Sequence, residues 1–256
     1  MSRDSDEILQ LPSGARAYRY APREIGFTPA ASSPRTIEEV EAHLSRHFGT
    51  PETVFHEIAS SRVHIDVQVV KPGPGRDHWT FFTTGMSDLP MQTPPNVQGD
   101  FRYAELIIKL PANWDFGDST SAGAAPVLSE DDPACWPIAW LKQLARFPHT
   151  YNTWLGFGHT LPNGDPPQPF VPGTKLCAFL LLPPFSDSDD VHVTTLSDGR
   201  TVHFYVLHAL HLEELSLKLR EGTTALLEAL ERAGMSEVLD PSRPSAVRRR
   251  KLFGIL

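Results

Sequence analysis

A glycine, a serine and an acid lie close together in the stretch Gly85-Met86-Ser87-Asp88, where a tight turn could present a nucleophilic hydroxyl. A nucleophile elbow needs the pattern Gly-x-Ser-x-Gly between a strand and a helix. The second glycine is absent here, and Pro90 disfavours a helix that begins smoothly at this point. Turn chemistry explains the composition better, because glycine supplies a positive φ and Ser and Asp side chains bond nearby backbone N–H groups. We therefore expect a structural turn and no catalytic serine.

Histidines next to acids raise a second possibility, which is metal binding. His64 and Asp66 are two residues apart in a predicted strand, so both side chains point to one face, as two metal ligands can. The sequence shows no evident third or fourth ligand for this pair, and we expect neither a metal nor a cofactor. One alternative stays open, a hydrolase or metal-dependent enzyme that uses His64, Asp66, Ser87 and Asp88.

The elements that hold these side chains in place can be predicted from hydrophobic periodicity. Helical spacing predicts an amphipathic helix from Thr36 to Phe48. Around residues 63–69 the period changes to two, which predicts a half-buried strand with one apolar and one polar face. Further strands are predicted over 52–58, 78–84, 101–111 and 174–185, with a hairpin turn at Asp198-Gly199. Further helices are predicted over 134–148, ended by Pro148, and over 211–222 and 223–234.

These elements predict one α+β domain with a mainly antiparallel or mixed β-sheet flanked by helices. Residues 34–240 form this domain. Residues 1–33 lack periodicity and are predicted to be a flexible N-terminal arm. Residues 241–256 carry a basic run and are predicted to be a solvated C-terminal tail.

Composition narrows the classes of partner. Hydrophobic residues make up 40% and charged residues 21% of the 256, as in a soluble globular protein. The formal net charge of −8 argues against nucleic acid, which needs a basic face. No apolar run is long enough to cross a membrane, and the start does not resemble a signal peptide, so we expect a cytoplasmic protein. Cys135 and Cys177 lie in apolar stretches and should be buried reduced thiols.

Six stretches, in their order along the chain, together resemble the suppressor-of-fused domain family. They are HIDVQVV, TTGMSDLPM, YAELIIKLP, WPIAWLKQLARF, GHTLPN and LEELSLKLREG. The resemblance is to bacterial single-domain members and implies a non-enzymatic domain that binds a protein partner. Such members are proposed to be immunity proteins that neutralise polymorphic toxins. Animal members restrain transcription factors and hold a short peptide as an added strand, but they carry a second lobe.

The resemblance also implies roles for particular residues. Motif residues that it marks as structural are Gly85, Met86, Ser87, Asp88, Pro90, Met91, Glu105, Trp136 and Pro137. It places partner contact at the end of the predicted 134–148 helix and in the segment after it. Candidate partner-binding residues are Arg146, Phe147, Gly158 and His159. Phe147 corresponds to an aromatic residue in animal members, while the alternative that it only completes the core stays open.

Overall fold

The structure is a computed structural model that describes residues 6–21, 23, 33–56, 62–117 and 132–247. The strands are β1 (Glu7–Gln10), β2 (Arg16–Arg19), β3 (Thr53–Phe55), β4 (Asp66–Val70), β5 (His78–Thr84), β6 (Tyr103–Pro111), β7 (Thr160–Pro162), β8 (Leu176–Leu182), β9 (Val193–Thr195) and β10 (Thr201–His211). The α-helices are α1 (Pro34–Phe48), α2 (Trp136–Tyr151), α3 (Leu212–Glu221) and α4 (Thr223–Arg232). None of the helices in these ranges is long and apolar enough to cross a membrane.

Eight strands form one mixed sheet in the order β3-β4-β5-β6-β10-β8-β7, with β9 paired to β10 beside that path. Neighbouring strands are antiparallel except β6 and β10, which run parallel. The two outer strands, β3 and β7, have only three residues each. The predicted α+β class with a mainly antiparallel or mixed sheet is confirmed.

Helices cover both faces of the sheet. On one face, α2 packs Leu141 and Leu144 against strand residues such as Phe81 and Ile108. On the other face, α1 packs against the centre of the sheet, while α3 and α4 pack against β8 and the end of β10. Consecutive residues of a strand therefore enter different cores, as the alternation of side chains across a strand requires.

The prediction of a half-buried strand around residues 63–69 is wrong in one respect. All five residues of β4 are buried, including Asp66 and Gln68. The polar alternation in the sequence suggested a solvent-facing side, but α1 packs near Val70 and Phe82 on that side. Polar residues of this strand therefore need partners within the protein.

Helix α2 continues three residues beyond Pro148, where the sequence predicted its end. A proline inside a helix removes one backbone hydrogen bond, and this usually breaks the helix. The carbonyl of Pro148 accepts hydrogen bonds from the backbone N–H groups of Asn152 and Thr153, which closes the last turn. Asn152 has a left-handed φ of 50°, a conformation common just after a helix.

Part of the predicted N-terminal arm has regular structure. Strands β1 and β2 form a hairpin whose turn bonds back to the body through Ser13 N–H and the Leu219 carbonyl (3.3 Å). An ion pair joins Arg19 to Asp165 at 2.9 Å. Residues 1–5, 22 and 24–32 lie outside the described residues.

The predicted basic tail also packs against the body at its beginning. Arg243 forms an ion pair with buried Glu214 at 2.5 Å and donates a hydrogen bond to the Ala209 carbonyl at 2.7 Å. The basic run after it, residues 248–251, lies outside the described residues. Both cysteines are buried and free, as predicted.

Candidate functional site

A buried carboxylate organises the turn at residues 85–88. Glu105, on β6, accepts hydrogen bonds at Oε1 from the backbone N–H of Gly85 (3.0 Å), the backbone N–H of Ser87 (2.9 Å) and the Ser87 hydroxyl (2.6 Å). Its Oε2 accepts a hydrogen bond from the Thr83 hydroxyl at 2.6 Å. Glu105 is fully buried, and burial raises its pKa to about 7, while the donors from Ser87 and Thr83 oppose that shift. Glu105 thus replaces the water that these donors lose on folding.

The turn also packs against the backbone that leads into β4. Gly85 has a φ of 103°, and a Cβ at this position would lie 1.9 Å from the His64 carbonyl oxygen. Only glycine tolerates this combination of backbone conformation and close approach. On the other side, His149 of α2 bonds the Met86 carbonyl through Nε2 at 3.0 Å. The turn therefore joins β6, the start of β4 and α2.

Ser87 cannot present a nucleophile in this arrangement. Its side chain is fully buried, and its hydroxyl donates to Glu105. Arg200 donates a hydrogen bond to its carbonyl at 2.8 Å. Asp88 accepts a hydrogen bond from the Ser33 backbone N–H at 3.0 Å, and burial raises the pKa of its carboxyl. The geometry supports the structural interpretation of the Gly85–Asp88 motif.

The remaining motif residues have separate positions. Pro90 is exposed, whereas Met91 is buried and accepts a hydrogen bond at sulfur from the Leu155 backbone N–H at 3.4 Å. Trp136 and Pro137 are buried in the first turn of α2, where proline is favoured because its missing N–H has no partner there anyway. Packing explains Met91, and packing with helix initiation explains Trp136 and Pro137.

The open enzyme alternative would need His64, Asp66, Ser87 and Asp88 to share one site. The structure directs them differently, because the Ser87 hydroxyl faces Glu105 while the His64 ring faces Asp66. Nε2 of His64 lies 2.9 Å from one oxygen of Asp66. A third residue joins this pair, since Nδ1 of His56 lies 3.0 Å from the other oxygen.

The end of α2 carries the first two candidate partner-binding residues. Arg146 and Phe147 are both half-buried. The Phe147 ring contacts Tyr151 at 4.8 Å between centroids and Tyr20 of the N-terminal segment at 5.4 Å. The Tyr20 hydroxyl bonds the Thr153 hydroxyl at 2.6 Å. The N-terminal segment therefore covers part of this predicted surface.

Residues 154–159, in the connection between α2 and β7, carry the other two candidates. Gly158 is buried, has a φ of 74° and packs against Thr223 at the start of α4. His159 lies edge-on to Trp154 with ring centroids 4.4 Å apart, and burial lowers its pKa to about 4. Phe157 between them is 56% exposed. Among the described residues, no ring contact joins the Phe147 cluster to the Trp154–His159 pair.

Three residues with a plausible role were missed from sequence. His56 is brought to His64 and Asp66 only by the pairing of β3 with β4, which the sequence does not specify. Tyr20 belongs to a segment with no periodicity. Phe157 stands between two glycines in GFG, a setting that could have indicated an exposed aromatic residue on a turn.

Comparisons with known proteins agree on one family. The model of the family described as Suppressor of fused protein (SUFU) matches residues 61–244 of this chain. The comparison with curated proteins gave no match.

Solved structures with a similar fold include three suppressor of fused proteins. The homologue from Neisseria gonorrhoeae FA 1090 aligns with a TM-score of 0.60 and 18% identity over 84% of this chain and 98% of its own. The protein in the Sufu–Fu complex aligns with a TM-score of 0.57 and 14% identity over 84% of this chain and 93% of its own. Drosophila Suppressor of Fused aligns with a TM-score of 0.50 and 15% identity over 79% of this chain and 50% of its own. At these identities the likeness shows the fold.

Proposed function

We propose that this chain, which belongs to the suppressor of fused family, is a non-enzymatic domain that binds a protein partner. The resemblance found in the sequence motifs is confirmed at the level of the family. One of the similar structures is a Sufu–Fu complex, so a domain of this fold is seen with a protein partner. The serine that could have suggested an enzyme is buried against Glu105.

The exposed side chain of Phe157 is the observation that carries the proposed surface. It is 56% exposed, although large aromatic side chains are normally buried or bound. It lies directly before Gly158 and His159, which lead the chain into β7, an outer strand of the sheet. We place partner contact here and at the end of α2, with Arg146, Phe147, Gly158 and His159 as the predicted residues and Phe157 as an added anchor.

The way in which a partner would bind follows from the shape of this edge. A peptide can pair with an outer strand through its backbone, and pockets for side chains then give selectivity. β7 has only three residues and ends with Pro162, which lacks an N–H group, so few backbone hydrogen bonds are available. Side-chain contacts with Phe157 and the α2 end must therefore supply most of the affinity. Gly158 is buried and has no side chain to offer a partner. Its proposed role is to hold, through its φ of 74°, the turn that presents Phe157.

The finer form of the proposal names a class of partner. The resemblance to bacterial members supports an immunity protein that acts in the cytoplasm and neutralises a toxin domain. The net charge of −8 is compatible with a basic partner, because opposite charges speed association. The cognate toxin domain would be encoded by a neighbouring gene.

Copurification with the product of the neighbouring gene tests the proposal. Phe157→Ala should weaken binding about 30-fold or more, which corresponds to a hot spot of about 2 kcal/mol. Phe185→Ala is a matched control, because Phe185 is 51% exposed on a different segment. Full binding by Phe157→Ala, or equal loss by both variants, would move the interface elsewhere. Absence of any complex with the wild-type chain would rule out the toxin partner.

A further inference from the structure

Three potential metal ligands meet at the open end of the β3–β4 pair. Phe55 of β3 pairs with Val67 of β4. The next pair along these antiparallel strands is His56 and Asp66, which therefore lie opposite each other. In antiparallel strands such opposite side chains project to the same face. His64 is two residues before Asp66 and points to that face as well. Register and alternation together therefore bring two imidazoles to one carboxylate.

The distances within this cluster suit a single ion. Nδ1 of His56 and Nε2 of His64 lie 3.0 and 2.9 Å from the two oxygens of Asp66. One ligand atom from each residue can be chosen so that all three lie within 4.8 Å of one another. Ligands about 2.0–2.1 Å from one ion are separated by no more than about 4.2 Å, so a small inward movement would complete the site. His56 can make that movement, because its side chain is 71% exposed.

The chemistry of the three ligands selects a class of metal. Two imidazole nitrogens and one carboxylate oxygen form a donor set of intermediate hardness, which suits zinc and neighbouring divalent transition metals better than calcium or magnesium. We propose that His56, His64 and Asp66 bind one divalent ion of the zinc type. Three protein ligands leave at least one coordination position for water or for a ligand from another molecule.

The surrounding structure holds two of the three ligands in place. Asp66 is buried, with only 6% of its side chain exposed. His64 is held through its backbone, because its carbonyl packs against Gly85 of the turn that Glu105 organises. Fixed Asp66 and His64 with a movable His56 form a partly preorganised site.

Direct hydrogen bonding is the competing explanation for the short distances in this cluster, because neutral imidazoles can each donate an N–H to the same carboxylate.

Titration of the purified chain with Zn²⁺ alone, after dialysis against a chelator, separates the two explanations. We expect one ion per chain by calorimetry. His56→Ala should weaken binding at least tenfold, since loss of even an outer partner of a metal ligand has an effect of that size.

Matched variants make the result decisive. His192→Ala removes an exposed histidine that lies outside the cluster, so it should bind Zn²⁺ as the wild type does. His56→Ala should remain folded at the temperature of the titration, because the His56 side chain is largely exposed, although buried Asp66 loses one hydrogen-bond partner. Absence of Zn²⁺ binding by the wild type would overturn the proposal. Equal affinities of His56→Ala and the wild type would also overturn it.

Discussion

Two glycine-containing turns of this protein differ in whether the side chain they carry is buried or exposed. The turn at Gly85–Asp88 closes on Glu105, and its serine has no exposed surface. The turn at 156–159 also has a buried glycine, Gly158, but it leaves Phe157 56% exposed. The first turn joins β6, β4 and α2, whereas the second presents an apolar side chain at the edge of the sheet.

The difference separates residues that stabilise the fold from residues that are available to a partner. The residue types of the Gly85–Asp88 stretch already favoured a structural turn, whereas the exposure of Phe157 was not predicted from the sequence. The two kinds of residue are distinguished by whether their hydrogen bonds and apolar area are already satisfied within the protein. A polar group whose partners are all within the core is committed to folding, while an exposed aromatic residue has area left to bury.

The largest effect on stability is expected from Gly85→Ala. A methyl group here would have to occupy a left-handed backbone conformation and would lie 1.9 Å from the His64 carbonyl oxygen. Strain of about 1 kcal/mol and overpacking of about 3 kcal/mol should together lower the free energy of unfolding by about 4 kcal/mol. Urea denaturation measures this change.

Gly199→Ala is the control for the backbone strain alone. Gly199 has a φ of 87°, but a Cβ there meets nothing within 4 Å. Its substitution should cost only about 1 kcal/mol. Equal losses for the two variants would show that the contact with His64 has no energetic importance.

The next largest effect is the pH dependence that Glu105 creates. Burial raises its pKa from the ordinary 4.5 to about 7. The unfolded chain therefore ionises this group first as the pH rises, and the folded state loses stability between about pH 4.5 and 7. The shift corresponds to about 3 kcal/mol, because one pKa unit is about 1.4 kcal/mol.

Glu105→Gln isolates this contribution, because glutamine does not titrate and its amide oxygen can still accept the hydrogen bonds made at Oε1. The stability of the wild type relative to Glu105→Gln should fall as the pH is raised from about 4.5 to 7. Parallel denaturation of both proteins across this range cancels the other titrating groups. A constant difference would show that the pKa of Glu105 is not raised.

A smaller effect is expected where the N-terminal segment covers the α2 end. Tyr20→Ala removes ring contacts with Phe147 and Tyr151 and the hydrogen bond to Thr153. The expected loss of stability is about 2 kcal/mol, because the two ring contacts contribute about 0.5 kcal/mol each and the hydrogen bond about 1 kcal/mol. Tyr18→Ala is the control, since Tyr18 is 48% exposed and its ring stacks on Tyr20 but, within the described residues, on no ring of α2. Equal melting temperatures for both variants would show that the segment does not pack on α2.

Sequence reasoning predicted what local periodicity determines. The hydrophobic spacing of α1, the strand-like stretches of β5 and β6 and the turn at Asp198-Gly199 identified these elements, because neighbouring residues specify them. The end of α2 could not be predicted from Pro148, because the Asn152 and Thr153 N–H groups satisfy its carbonyl through a local cap. Burial of β4 on both faces depends on where α1 packs, which no local pattern reveals.

The candidate sites also divide into features that neighbouring residues specify and features that depend on contacts between distant segments. The GMSD stretch was interpreted as a turn from its residue types, but the role of Glu105 as its acceptor depends on the pairing of β5 with β6. His64 and Asp66 were recognised as a pair by their spacing, whereas His56 joins them through strand register. Contacts between distant segments, such as Tyr20 with Phe147, leave no trace in spacing.

Ser87→Ala and Phe157→Ala, compared in one experiment, test the central claim most directly. Melting temperature and affinity for the neighbouring gene's product are measured for both variants. The account predicts that Ser87→Ala loses about 1–3 kcal/mol of stability through its missing hydrogen bond to Glu105, while the folded protein keeps its affinity. Phe157→Ala should keep its stability within about 0.5 kcal/mol and lose binding. Loss of binding by folded Ser87→Ala, together with full binding by Phe157→Ala, would contradict the account.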